Sequence, residues 1–307
     1  MQKNFILMKR FPLFSLLLCL LLSLSSCHRP DGHIAGHVDT YPDFSSRYVP
    51  ARTLRVWLPS NYDPQLRYDV LYMHDGKMLF DASTTWNGQE WGVDEAMDSL
   101  VTTGRIRPTI IVGIDNNDDR VSEYCPDEII AYMPAGAKVY PTLQAKGNDY
   151  LRFLVEEVKP FIDSLYPTYT DREHTWVMGS SCGGLISSYA LCRYPDVFGG
   201  AVCMSTHCTL MDPNMREDNP QSAEAYRRYL REHLPAPNTS LLYMDDGDQT
   251  IDAYYGEAQQ AINHMLRAEG WDEAHFMYRF FPGHAHCEDD WKARLDIPLC
   301  FILEKNK

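Results

Sequence analysis

The chain has 307 residues, 45% of them hydrophobic, and a formal charge of −14. Hydrophobic content at that level is ordinary for a globular domain with a full core. The acidity leaves no basic stripe to neutralise phosphates, so nucleic acid is excluded as a partner, and a polyanionic substrate would be repelled at long range.

The first segment is an address. Lys3, Lys9 and Arg10 lead an apolar run from Phe14 to Leu22, which ends in Leu24-Ser25-Ser26-Cys27. A basic lead, a short apolar core and small residues make a secretory signal over residues 1–26. The run is too short and too abruptly ended for a membrane-spanning helix. Leu-Ser-Ser-Cys resembles the lipobox of bacterial lipoproteins, which implies that Cys27 becomes the lipid-bearing first residue. The alternative is an ordinary signal peptide cut near the same place. The resemblance implies an exported protein, lipid-anchored on the periplasmic or cell-surface side, with the membrane a partner only through Cys27. The polar residues His28 to Gly32 suit a flexible tether. Residues 27–49 read as tether and N-terminal extension, and 50–307 as a single domain; roughly 280 residues after processing suits one large α/β unit.

Along the domain, short apolar runs alternate with amphipathic segments of helix length. Thr53 to Leu58 alternates like an edge strand. Further strands are expected at Asp69–His74, Thr109–Asp115, Thr175–Gly179, Ala201–Ser205, Ser240–Asp245 and His275–Phe281. Helical spacing covers Val93–Val101, Tyr150–Leu165, Leu185–Cys192, Ala223–Leu234, Ala253–Leu266 and Trp291–Leu303. Strands apolar on both faces, alternating with helices, predict an α/β fold with a mostly parallel sheet covered on both sides. In such sheets, sites form beyond the C-terminal strand ends.

Nine cysteines are present. Cys19 leaves with the signal and Cys27 is the lipidation candidate. Cys125, Cys182, Cys192, Cys203, Cys208, Cys287 and Cys300 remain, and their spacings form no paired Cys-x-x-Cys clusters, which argues against structural zinc. Most are expected to be small core residues.

Chemistry concentrates at Val177-Met178-Gly179-Ser180-Ser181-Cys182-Gly183-Gly184-Leu185-Ile186. A buried strand, a Gly-x-Ser-x-Gly turn and a helix start lift Ser181 out on a tight bend. A serine hydroxyl needs a base within reach, and the base needs a partner to hold its tautomer. In the order serine, acid, histidine, the chain offers an aspartate-rich segment, Asp245 to Asp252, and a loop holding His284 and His286. Asp248 and Asp252 compete as acid, with Asp245, Asp246 and Asp248 otherwise a solvated acidic loop. His284 and His286 compete as base. The backbone N–H of Cys182, at a helix N-terminus, and that of Gly76, with Lys77 as alternative, are the candidate oxyanion donors. Trp86, Trp91, Tyr124 and Tyr132 fall in loops expected to flank the site, where aromatic faces suit sugar rings or phenolic acyl groups or else pack beneath the loops. Glu90, Arg120 and Glu123 form structural ion pairs or contact substrate. His284-x-His286 or the aspartate-rich loop could instead hold zinc or calcium. The histidines have no other obvious ligands at metal spacing, so no metal or cofactor is expected.

Several ordered segments carry a more specific resemblance: Tyr72-Met73-His74-Asp75-Gly76, Ile111 to Asn116 with Arg120 and Glu123-Tyr124, Gly179 to Gly184, Asp246-Gly247 with Asp252, and Phe281-Pro282-Gly283 with His286, Glu288 and Trp291. On these the chain resembles the esterase D-type branch of the α/β-hydrolases, which includes enterochelin esterases and the acetylxylan and feruloyl esterases of carbohydrate-esterase family 1. The resemblance covers most of residues 50–305. It implies an α/β-hydrolase fold and a carboxylic-ester hydrolase with Ser181 as nucleophile, and it favours His286 as base and Asp252 as acid. The implied substrate is an acylated oligosaccharide that loses acetyl or feruloyl groups; siderophore ester hydrolysis is the alternative. A metal-binding protein, or a glycan-binding lipoprotein on an inactive hydrolase frame, is a further reading. Cys182 stands where the family often has Met, and Cys287 follows His286, so the two sulfurs either bridge or remain separate buried thiols.

Overall fold

A computed structural model describes residues 34–134, 144–210 and 220–305. The expected signal segment, Cys27 and the start of the tether lie outside the described residues. The strands are β1 (His37–Phe44), β2 (Arg52–Leu58), β3 (Asp69–His74), β4 (Thr109–Ile114), β5 (Thr175–Ser180), β6 (Gly200–Met204), β7 (Leu241–Asp246) and β8 (Phe276–Phe280). They form one eight-stranded sheet in the order β1-β2-β4-β3-β5-β6-β7-β8. β1, β2 and β4 pair antiparallel, and every pair from β4 onward is parallel.

The crossovers supply α1 (Val93–Thr102), α2 (Arg120–Glu123), α3 (Asp127–Ile130), α4 (Gly147–Arg152), α5 (Lys159–Leu165), α6 (Cys182–Arg193), α7 (Pro220–His233) and α8 (Gly256–Ala268), and α9 (Glu288–Lys292) and α10 (Asp296–Leu303) follow β8. A π-helical segment, Phe153–Val158, joins α4 to α5. Alternate residues of each strand enter opposite cores. Val70, Tyr72, Val112 and Val177 pack with Leu151, Leu154, Ile186, Tyr189, Tyr226 and Ile262 from α4 through α8. Leu71, Met73, Ile111 and Met178 pack with Val93, Met97, Leu100 and Leu299 from α1 and α10. That two-sided burial is why β3 and β4 carry unbroken apolar runs, Val70 to Met73 and Ile110 to Ile114.

The expected elements differ from the observed ones in three places. His37–Phe44 lies inside the predicted tether, yet it forms the edge strand outside β2. Its half-exposed, polar sequence with Pro42 carries no alternation, and its register shifts between Tyr41 and Phe44, which is how edge strands avoid further pairing. The predicted helix Trp291–Leu303 is two short helices, α9 and α10, joined by a turn at 293–295. Ala253 and Tyr254, expected to begin a helix, belong instead to a 3-10 turn, Thr250–Tyr254, ahead of α8. Among the described residues no helix is long and apolar enough to cross a membrane.

One polar contact ties the antiparallel corner to the helical layer. Arg52 of β2 donates two hydrogen bonds of 2.8 Å to Glu123 of α2, and both side chains are buried. The guanidinium also sits over the rings of Tyr150 and Phe153, at 5.7 and 5.1 Å. Leaving either charge buried without the other is costly, whereas removing both is not. Arg52→Met alone should destabilise the protein by about 3–5 kcal/mol, and adding Glu123→Leu should recover most of that loss. Urea unfolding of the single and double variants checks this; a double variant as unstable as the single one contradicts it.

Candidate active site

The sheet places the candidate groups on one edge. β5 ends at Ser180, and Ser181 follows with φ 57° and ψ −124°, a strained conformation for a residue with a side chain. The bend is tight because a Cβ at Gly179 would stand 2.8 Å from the Cα of Gly183. Ser181 N–H donates to the Met204 carbonyl at 3.0 Å, and its own carbonyl accepts from the His207 and Leu185 N–H groups. The turn is thereby clamped between β6 and α6.

His286 and Asp252 come from the loops after β8 and β7. His286 Nδ1 donates to Asp252 Oδ1 at 2.6 Å, with both side chains largely shielded from solvent. A carboxylate only accepts, so in the neutral ring the proton is on Nδ1 and the lone pair on Nε2. Asp252 Oδ2 accepts from Ser205 Oγ at 2.6 Å and from Gly247 N–H at 2.7 Å. Burial pushes the Asp252 carboxyl up, but the hydrogen bonds from His286, Ser205 and Gly247 outweigh it and hold the group below its ordinary value. The imidazole of His286 is fixed edge-on by Trp291 at 5.0 Å and Tyr255 at 5.8 Å between centroids. The buried Tyr255 hydroxyl pairs with His207 Nδ1 at 2.7 Å and adjoins the Ser181 hydroxyl. Tyr255 therefore touches both the serine and the histidine side of the site.

The competing candidates stand elsewhere. Asp248 is a half-buried loop residue whose carboxylate accepts from Gly283 N–H and Gln249 at 2.8 Å each. His284 Nδ1 faces Arg294 Nη1 at 3.4 Å and Asp290 Oδ1 at 3.7 Å. Asp245, expected to end a strand, and Asp246 are both buried at the end of β7, so the alternative of a solvated acidic loop does not hold for them. Among the described residues no group of three or more His, Cys, Asp or Glu side chains is arranged to hold a metal. Cys182 and Cys287 are both free thiols, so the bridge considered between them is not formed.

Gly76 opens a short 3-10 turn after β3, the strand beside β5. A Cβ there would stand 2.9 Å from the Asp115 backbone nitrogen, which explains glycine at this position. The turn packs on the serine bend: a Cβ at Gly183 would lie 3.4 Å from His74 Cβ and 3.6 Å from Asp75 Oδ2. The N–H groups of Cys182 and Gly76 thus issue from neighbouring strand ends, and Cys182, as first residue of α6, has no intrahelical acceptor. Arg120 grips Asp75 through two bonds of 2.6 and 2.7 Å, and Asn116 adds a third. Burial raises the Asp75 carboxyl, but the Arg120 charge and these bonds more than offset it, leaving the group below its ordinary value. Arg120 therefore braces the Gly76 turn. Glu123 is committed to Arg52, and Glu90 pairs with Lys292 at 3.2 Å.

The aromatic candidates separate by burial. Trp91 is buried against Trp291 at 5.2 Å, and Tyr124 is fully buried beneath Arg120, so neither presents a face to solvent. Trp86 is 85% exposed, beside Asn87, whose side chain donates to Glu288 at 2.9 Å. Tyr132 bonds Glu232 at 2.6 Å. Sequence reasoning missed Ser205, Arg294 and Tyr255 as site residues. The available signal was position alone, since Ser205 ends the expected strand Ala201–Ser205 on the edge where sites form.

The profile of a family described as "Putative esterase" matches residues 45–298. The Bacillus subtilis protein YjcH, described as uncharacterized, is 28% identical over 172 residues, 56% of this chain and 62% of its own length. The chain thus spans less than two thirds of that relative. A CE1 ferulic acid esterase from the anaerobic fungus Anaeromyces mucronatus superposes with a TM-score of 0.61 at 19% identity, covering 89% of this chain and 92% of that one. The enterobactin esterase of Shigella flexneri does so with a TM-score of 0.59 at 17% identity, covering 89% and 60%. The fold shared with these structures is the α/β-hydrolase fold.

Asp246 yields a test of the buried electrostatics at this edge. Its Oδ1 accepts from Tyr278 at 2.6 Å, and burial, with the neighbouring Asp252 and Asp245 charges, pushes it up to about 7. The folded value lies above the unfolded one of about 3.9, so the native state holds the extra proton and stability falls as pH rises between them. Asp246→Asn should match wild type near pH 4 and become progressively more stable than it up to pH 8. Thermal unfolding across that range measures the gap; one that narrows as pH rises contradicts the assignment.

Proposed function

Since the chain belongs to the "Putative esterase" family over residues 45–298, we propose that it is a serine carboxylic-ester hydrolase with Ser181 as nucleophile, His286 as base and Asp252 as orienting acid. The observation that carries this reading is the 2.6 Å bond from His286 Nδ1 to Asp252, on the same sheet edge as the strained Ser181 turn. His286 Nε2, left with its lone pair, takes the Ser181 proton as Oγ attacks the ester carbonyl. Asp252, buried and ionised, stabilises the imidazolium that results. The alkoxide of the tetrahedral intermediate is met by the N–H groups of Cys182 and Gly76, with the α6 dipole adding to the first. The imidazolium then protonates the departing alcohol, leaving the acyl group on Ser181. Water attacks that acyl-enzyme with His286 again as base, releasing the acid and restoring the serine.

The substrate we propose is an acylated glycan losing acetyl or feruloyl groups. The acidic chain favours a neutral polymer, and the likeness to the Anaeromyces ferulic acid esterase agrees. The exposed face of Trp86 suits a sugar ring or an aromatic acyl group. Hydrolysis of a catecholate siderophore ester is the second reading, in line with the likeness to the Shigella enzyme. We also assign residues 1–26 to export and Cys27 to lipid attachment, holding the enzyme at a bacterial membrane as a periplasmic or surface protein.

Release of p-nitrophenol from its acetate should fall at least about 10³-fold in Ser181→Ala, while EDTA leaves the wild-type rate unchanged. Activity that survives the substitution, or disappears with EDTA, sinks the mechanism. Acetylated xylan and methyl ferulate should be hydrolysed in preference to a catecholate siderophore; the reverse order selects the second reading. Cys27→Ala should move the protein from the membrane fraction to the soluble one, and unchanged fractionation refutes the anchor.

A further inference from the structure

Ser205 lies one residue beyond β6, fully buried, with φ 41°. A side-chain-bearing residue is costly in that conformation, where glycine would be relaxed. Its hydroxyl has every hydrogen-bonding position filled. Trp291 Nε1 donates to it at 3.0 Å and Arg294 Nη2 at 2.9 Å. A serine hydroxyl has two acceptor sites and one proton. With both acceptor sites taken, the proton is directed to the remaining partner, Asp252 Oδ2 at 2.6 Å. Arg294 is itself immobilised by Asp245, at 2.9 and 3.2 Å, and Asp245 also accepts the Ser205 backbone N–H at 3.0 Å. The anchors come from β6, from β7 and from the α9–α10 region, so the serine is held from three directions.

We propose that Ser205 is a positioning residue for the Asp252–His286 pair: locked by Trp291 and Arg294, it fixes the Asp252 carboxylate and thereby the orientation and basicity of the imidazole. The inference rests on the esterase reading for its kinetic consequence but not for its geometry. Asp252 has four lone-pair directions, and without Ser205 one oxygen keeps only the Gly247 N–H. The carboxylate would then rotate more freely and hold the imidazolium more tightly, because a hydrogen bond that had lowered its basicity is gone. The charged and titratable groups facing this pair are Asp246, Asp248 and Cys208 around Asp252, Tyr255 against the imidazole, and Arg294 with Asp245 behind Ser205. Substituting Ser205 removes none of these groups; Arg294 loses the hydroxyl as an acceptor but keeps both bonds to Asp245.

Ser205→Gly is the informative variant, because it removes the hydroxyl while relaxing the positive φ. It should lower kcat/KM for p-nitrophenyl acetate by about 10–100-fold, the scale of a small misplacement at a reacting centre. KM should change little, and the acid limb of the pH–kcat/KM profile should move to higher pH. In an Asp252→Ala background the same substitution should cost less than a further ~3-fold, since a residue that acts through Asp252 has nothing left to act on. Wild-type kinetics in Ser205→Gly, or a loss that multiplies in full with that of Asp252→Ala, overturns the proposal. If the wild-type protein hydrolyses no ester, the esterase reading fails by itself. NMR titration of His286, assigned by its disappearance in His286→Gln, then decides the inference: an upward shift in Ser205→Gly supports it, and an unchanged titration refutes it.

Discussion

Parallel pairing from β4 to β8 is the constraint on which this molecule depends. Strands that run the same way must all end on the same edge, and the loops that follow them must meet there. The Gly76 turn leaves β3, Ser181 leaves β5, Ser205 leaves β6, Asp252 follows β7 and His286 follows β8. Residues more than a hundred positions apart in the chain become neighbours because the ladder fixes the spacing of their strands. Met178 beside Met73, Ser180 beside Met204 and Asp246 beside Phe280 set that spacing residue by residue.

The edge holds its polar groups by dense mutual bonding rather than by hydration. Asp252, Asp245 and Asp75 are all buried carboxylates, and each is met by several donors. An unpaired charge in this setting would be prohibitive; the donors around Asp252 and Asp75 hold both carboxyls below their ordinary value, while burial raises Asp245 despite the Arg294 charge. Asp246 shows the contrast: with Tyr278 as its donor and carboxylates nearby, it rises to about 7. Several charges that look spare in the sequence are committed. Arg120 steadies the turn that presents Gly76, Arg294 steadies Ser205, and Arg52 with Glu123 joins the antiparallel corner to the helices.

Legibility followed the strength of the local pattern. β3 was readable to the residue because two-sided burial demands an unbroken apolar run, and the serine turn was readable because its geometry demands glycine at fixed offsets. β1 was not, since a half-exposed edge strand gains its order from hydrogen bonds to β2 rather than from its own side chains. The break between α9 and α10 was hidden beneath a continuous apolar spacing. Among the aromatic candidates, nothing local separates Trp86 from Trp91 or Tyr124; only packing against Trp291 and beneath Arg120 removes the latter two from solvent.

The fold class, the family, the serine on its turn and the short acidic and histidine segments from which partners must come are all legible in the residues alone. Those features depend on side-chain periodicity and on glycine spacing, which are local properties. Folding is what brings His286 to Asp252 while His284 faces Arg294 and Asp290, puts Asp246 in the interior beside Asp245, and sets Ser205 behind the carboxylate. Each of those facts is a distance between segments whose separation is fixed by strand order and register, and no local pattern encodes it.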